Sequence, residues 1–222
     1  MSRNLTKAQA VTMIQEGLGF RNTSTGIEEA LRWAQDQLET GQTLPWFLRQ
    51  EDEALVGTLN VGYIALPTGF LREDEEADWW VTVGSDTPVR VLKRSWSEVK
   101  QHRYRFADTD EVDEGTPLIY ALRNSRIEVS PVPTEAWAMT VTYFKAQDDL
   151  SGVTTNAWLE NAPDLLWSMA GIFMAKKLRD VEGQASALEF FQPIFTAAEK
   201  LLKNEIALRE DSNREYSMGR LV

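Results

Sequence analysis

The chain has 222 residues, a net charge of -11 from 23 basic and 34 acidic side chains, and no cysteine. A chain of this size buries one sizeable core or two small ones, and the lack of thiols excludes disulfides, thiolate metal sites and a cysteine nucleophile. The acidic balance argues against a protein that grips nucleic acid through clustered Lys and Arg.

The start, Met1-Ser2-Arg3-Asn4-Leu5-Thr6, has no apolar h-region, and the longest nearly apolar run, Leu165 to Ala175, is far short of the roughly 18 residues that span a bilayer. Neither secretion by a signal peptide nor membrane insertion is expected. Thr6 and Gln9 have capping-box spacing, and Ala8, Val11, Ile14 and Leu18 follow at helical steps, predicting a helix over 6–16 that Gly17 and Gly19 end. Thr25 with Glu28 repeats the signature, and Ile27, Leu31, Ala34 and Leu38 form one face of a second helix over 26–40, with Gly41 as its C-cap.

After an apolar anchor at Trp46, Phe47 and Leu48, residues Thr58 to Ile64 alternate as a strand, and Pro67 turns the chain. Trp79 to Val83 and Val89 to Leu92, separated by a turn starting at Gly84-Ser85-Asp86, read as a strand pair. Ser95 with Glu98 opens a short helix through Tyr104, and residues 106–116 form an acidic loop. Three strands follow, Leu118 to Leu122, Arg126 to Val129 and Trp137 to Phe144, the first two joined at Asn124-Ser125.

Asn161 is the expected N-cap of an apolar helix with Pro163 and Asp164 in its first turn and Leu165, Leu166, Met169, Ile172 and Phe173 on one face. Beyond Gly183, Leu188, Phe191, Phe195, Ala198, Leu202 and Ile206 continue at helical steps, with Pro193 expected to kink or split the helix. Residues 211–222 show no apolar period and read as an extended C-terminal tail. The expected architecture is α+β: a helical bundle of N-terminal helices and long C-terminal helices packed with a small antiparallel β-sheet, as a single domain over 1–210.

Catalytic motifs are missing: there is no G-x-S-x-G and no P-loop, and Gly17-Leu18-Gly19 does not follow a strand. Two acidic runs raise metal binding or acid-base chemistry, Glu73-Asp74-Glu75-Glu76 with Asp78, and Asp108 to Gly115. The second matches a calcium loop at its first and third positions only, because Val112 and Asp113 occupy the fifth and sixth. Both runs read as solvated loops, and no metal or cofactor is expected. His102, the single histidine, stands beside Arg103 at a helix end, where a cation is favourable. The pair Trp79-Trp80 places one indole on each side of a strand, one in the core and the other at a subunit interface. Tyr216, Met218 and Leu221 in the tail are anchors for a segment that orders on a partner.

The run Tyr63 to Arg72, the ribbon Arg126 to Pro133 with its Pro-x-Pro exit, and the joint Asn156 to Asp164 occur in an order that resembles the adaptor (head-to-tail connector) proteins of tailed bacteriophages. The resemblance covers most of residues 5–210. It implies a non-enzymatic virion protein of the neck, assembled in the host cytoplasm, that forms a twelve-fold homo-oligomeric ring between the portal protein and a downstream tail protein. Duplex DNA would pass through the ring without sequence recognition, repelled by an acidic wall. Arg209, Tyr216, Met218, Arg220 and Leu221 would dock on the portal, and Trp79 and Trp80 would lie at the subunit interface. The rival classes are a carboxylate-based hydrolase and a sugar-binding module of a virion.

Overall fold

A computed structural model of the chain describes residues 4–19, 24–41, 43–104 and 113–218. In chain order its elements are α1 (Lys7–Gly17), α2 (Ser24–Glu39), a 3-10 turn (Trp46–Leu48), β1 (Arg49–Gly57), β2 (Tyr63–Ala65), β3 (Phe70–Glu73), β4 (Trp79–Val83), β5 (Val89–Lys93), α3 (Trp96–Arg103), β6 (Ile119–Arg123), β7 (Arg126–Ser130), β8 (Trp137–Lys145), α4 (Ala157–Asn161), α5 (Pro163–Ala175) and α6 (Val181–Met218). They form two compact units, one of residues 1–48 and 146–222, the other of residues 49–145. The fold is therefore not a helical bundle with a small sheet. It is mixed α/β, with one large eight-stranded sheet set between the helical segments in sequence.

The helical unit is built around α5, which packs on α1, α2, α4 and α6. Thr6 caps α1 through the expected box: its hydroxyl accepts from the Gln9 backbone N–H at 3.3 Å while its own N–H donates to Gln9 Oε1 at 2.8 Å. Ile27, Ala30, Leu31 and Ala34 are fully buried along one side of α2. On α5 the buried set is Leu165, Leu166, Trp167, Ser168, Ala170, Gly171, Met174 and Ala175, which wraps most of the helix and replaces the single expected face. Phe173 is half-buried and stacks on Trp33 with ring centroids 4.1 Å apart. Gly17 and Gly171 leave room for Phe191, whose ring any Cβ at either position would strike.

Three local expectations change. Asn161 does not cap α5; it ends α4, its Nδ2 donating to the Ala157 carbonyl at 2.9 Å, and Asn156 caps α4 by accepting from the Leu159 N–H at 3.2 Å. A residue before proline is pushed out of the α region, and Ala162 accordingly takes φ -138° and ψ 50°, which breaks the chain into two helices ahead of Pro163. Pro193 lies inside α6 without splitting it. The helix continues to Met218, so residues 211–218 are helical where an extended tail was expected, and its 38 residues make a rod of about 57 Å at roughly 1.5 Å per residue.

In the second unit the strands run in the order β1-β8-β4-β5-β6-β7-β2, with β3 also paired to β8. Every pairing is antiparallel except β5 with β6. The end strands β1 and β2 come into contact, so the sheet nearly closes as a barrel. Its interior holds Ile64, Trp79, Val81, Val83, Val91, Tyr120, Ile127, Val129, Trp137, Met139, Val141 and Tyr143. The helix α3 lies against β6 and β7, capped by the Ser95–Glu98 box. Strands β1 and β3 were not expected. In β1 the register slips between Gln50 and Glu53, with Asp52 at φ 50°. A bulge of this kind destroys the alternation that marks a strand in sequence.

Candidate functional site

The first acidic run joins β3 to β4, and the structure binds most of its charge to cations. Glu73, buried, pairs with Lys93 and accepts from the Tyr120 hydroxyl at 3.4 Å. Asp74 meets Arg49 Nε at 2.7 Å, and Asp78 meets Arg90 at 2.7 Å. Burial first, and then the neighbouring Glu73 carboxylate, push the Tyr120 phenol well above its ordinary range, so it remains a neutral donor. The cleft beside these residues holds about 290 Å³ and also includes Trp79, Val91 and Leu92. Three of its acids, Glu73, Asp74 and Asp78, are organised as ion pairs that tie β3 and the loop after it to β1 and β5. Among the described residues no group of three or more His, Asp or Glu is placed to hold a metal ion. Of the second run, 108–112 lie outside the described residues.

His102 ends α3 half-buried, with Nδ1 3.2 Å from Ser130 Oγ and 3.4 Å from Asp113 Oδ2. A hydrolytic relay places the carboxylate and the hydroxyl at opposite ring nitrogens; here both face the same one, and Ser130 is fully buried. Beside it Arg103 donates to the carbonyls of Gly62 at 2.7 Å and Val129 at 2.6 Å and to Glu128 at 3.2 Å. Arg126 reaches the other Glu128 oxygen at 2.9 Å. The buried carboxylate is thus matched by two guanidinium groups, an arrangement that fixes α3 and β2 on β7.

The outer face of the sheet is different. In the register, Ala54, Thr140, Trp80 and Arg90 form one row across β1, β8, β4 and β5, and Val56, Ala138 and Thr82 form the next. Trp79 points inward, 1 % exposed, donating to the Thr142 carbonyl at 2.9 Å and stacking on Tyr120. Trp80 points outward at 40 % exposure, in company with Val56 and Leu92, both exposed. The only charge in these two rows, Arg90, is paired with Asp78. The result is a nearly uncharged apolar strip on an acidic protein.

The far end of the helical unit is the second exposed apolar region. Along α6, Phe191 is the last fully buried residue among the described side chains; Ile194, Phe195, Ala198, Leu202 and Ile206 are half-buried, and Leu201 and Leu208 are exposed. Arg209 sits 3.9 Å above the Trp46 ring and pairs with Glu205 at 3.2 Å, holding this stretch of helix to the 3-10 turn. Tyr216 and Met218 are carried on the last turns of α6, while Arg220 and Leu221 lie outside the described residues.

Sequence reasoning singled out Trp80 but missed Val56 and Leu92, which only strand register places on the same outer face. It also missed Leu201 and Leu208, although their seven-residue spacing is visible in the sequence. A family model described as SU10 adaptor protein matches residues 5–220. The comparison with curated proteins finds no match.

Proposed function

We propose that this chain, which belongs to the SU10 adaptor protein family, a phage head-tail adaptor family, forms a closed ring in the virion neck between the portal and the next tail protein. Membership of the family makes it a structural phage adaptor.

The observation that carries self-assembly is the strip around Trp80, whose one charge, Arg90, is already paired with Asp78. Copies with a net charge of -11 repel one another unless they meet where charge is absent or matched. An exposed indole in one row with Ala54 and Thr140 is the kind of anchor that interfaces favour. Trp79 supports it from the core side of the same strand. In a ring, one patch meets a different patch on the next copy, and the contact repeats until it closes; twelve copies is the number we propose. Duplex DNA would pass along an acidic lumen that repels it.

The end of α6 supplies the portal contact. Tyr216, Met218, Arg220 and Leu221 form the docking segment, and Arg209, clamped on Trp46, sets the direction in which it leaves the unit. The test is the mass and symmetry of the species formed when the purified protein is mixed with its cognate portal, beside a variant truncated after Arg209. A ring that binds the portal, and whose binding is lost on truncation, is the expected outcome. A chain that remains monomeric and fails to bind the portal overturns the proposal.

A further inference from the structure

Charge is not evenly mixed in the sheet unit. Strand β6 runs parallel to β5, so both strands deliver their next residues toward one end of the barrel. Arg94 is placed there by its own N–H, which donates to the Tyr120 carbonyl at 2.8 Å. Arg123 ends β6 and stacks over Trp96 at 4.5 Å, and Lys100 follows Trp96 about one turn along α3. The elements β5, α3, β6 and β7 carry two carboxylates, Glu98 and Glu128, and both are committed. Glu128 is shared by Arg103 and Arg126, and Glu98 caps α3 by accepting from the Ser95 N–H at 2.9 Å. Arg94, Lys100 and Arg123 are exposed and form no ion pair among the described residues. The result is a cationic corner around an indole, on a chain with a net charge of -11.

The other end of the barrel carries the opposite sign. Strand β7 is antiparallel to β6, and its five residues take the chain about 16 Å away from the corner at roughly 3.3 Å per residue. There the Gly84 N–H donates to the Ala136 carbonyl at 2.8 Å, which sets the β4–β5 turn beside the β7–β8 loop. Asp86 and Glu135 stand on these two connections, and Glu114 pairs through the backbone with Val132 of the same loop. All three acids are exposed and form no ion pair among the described residues. No Lys or Arg accompanies them in 57–62, 84–88, 113–118 or 130–136.

A ring contact joins one patch to a different patch of the next copy, and acidic copies approach most easily where opposite charges meet. The barrel holds such a pair of patches, opposite in sign and at opposite ends. We propose that the cationic corner of one copy, Arg94, Lys100 and Arg123 around Trp96, receives the acidic end of the next copy, Asp86, Glu114 and Glu135. The contact rests on the ring reading and deepens it, giving the ring a charge-matched joint besides the strip around Trp80. An arginine stacked on an indole is the kind of group that anchors an interface.

The test is sedimentation of the full-length chain, with and without portal, for wild type, Arg94→Glu/Arg123→Glu, Asp86→Lys/Glu135→Lys and an equimolar mixture of the two variants. Circular dichroism shows that each variant is folded, and Arg94→Glu/Lys100→Glu, which leaves Arg123 on Trp96, replaces the first variant if that one is not. Each variant alone brings like charges together across the joint and is expected to associate about tenfold or more weakly than wild type. In the mixture, alternating copies again set acid against base at every joint, so association is expected to return, with an even number of copies in each ring. A folded variant that associates as wild type does overturns this contact and leaves the ring reading standing; if its binding to the portal or to plain duplex DNA is lost instead, the corner belongs to that partner. A mixture that associates no better than its components also overturns the contact. Wild-type protein that stays monomeric even with portal overturns the ring reading, and this joint with it.

Discussion

Helices α5 and α6 are neighbours in one unit, and their burial differs sharply. Eight of the thirteen residues of α5 are buried in addition to Pro163, and its neighbours α1, α2, α4 and α6 all belong to the same chain. On α6 only Ala187 and Phe191 are fully buried among the described side chains, although apolar residues continue to Leu208. The first helix is completed by its own fold. The second is left with apolar surface that a single copy does not cover, and that is the property expected of a component whose final packing occurs in an assembly.

The contrast can be broken at the residue where the two helices meet. Phe191 is fully buried against Gly17 and Gly171, and Phe191→Ala is expected to destabilise the protein by about 3–5 kcal/mol, read as a lowered midpoint in urea unfolding. If the loss is below about 1 kcal/mol, α6 is not held by this contact. A matched pair then compares the helices directly. Leu166→Ala on α5 removes a fully buried side chain and should cost about 2–5 kcal/mol. Leu201→Ala on α6 should stay within about 0.5 kcal/mol in the isolated chain and weaken only association. Equal losses for the two would erase the distinction.

A smaller effect sharpens the α5 side. Glu39 is buried and accepts from Trp158 Nε1 at 3.0 Å, Gln35 Nε2 at 3.1 Å and the Gln147 N–H at 3.2 Å, a network that ties α2 to the joint before α5. Burial, the largest influence, raises its pKa above the ordinary 4.5 despite these donors. The folded state then holds a proton that the unfolded state has released, so the contribution is complete below pH 4.5 and is lost as pH rises through the folded pKa. Glu39→Gln is expected to flatten stability against pH in that window, measured by urea unfolding at several pH values; an unchanged slope would mean that Glu39 titrates as it does in the unfolded chain. The smallest expected effect lies on the α6 side. Arg209→Ala removes the guanidinium over Trp46 and should cost about 0.5–1 kcal/mol, with a change in Trp46 fluorescence as the direct readout.

Much of the local structure was legible because it rests on contacts between residues close in sequence. The capping boxes at Thr6–Gln9 and Ser95–Glu98, the strand pair Trp79 to Val83 and Val89 to Leu92, and the turn at Asn124 all depend on neighbours within a few positions. Strand β1 was not legible, since its acidic start and its bulge hide the period of two. The break at Ala162 was misread because Asn161 has the chemistry of a cap but sits in the last turn of the preceding helix.

By itself the sequence determined the charge, the absence of thiol chemistry, most helices, the inward–outward alternation of Trp79 and Trp80, and the likeness to phage adaptors that the family match upholds. Tertiary structure alone decided that β1 to β8 join into one nearly closed sheet, that Val56, Trp80 and Leu92 share its outer face, and that Glu73, Asp74 and Asp78 are spent on ion pairs. The physical reason is range. Caps and turns are set by bonds within a few residues, whereas sheet order and strand register come from the joint burial of side chains far apart in the chain, as when Trp80 meets Thr140, and no local pattern encodes which distant strand will be the partner.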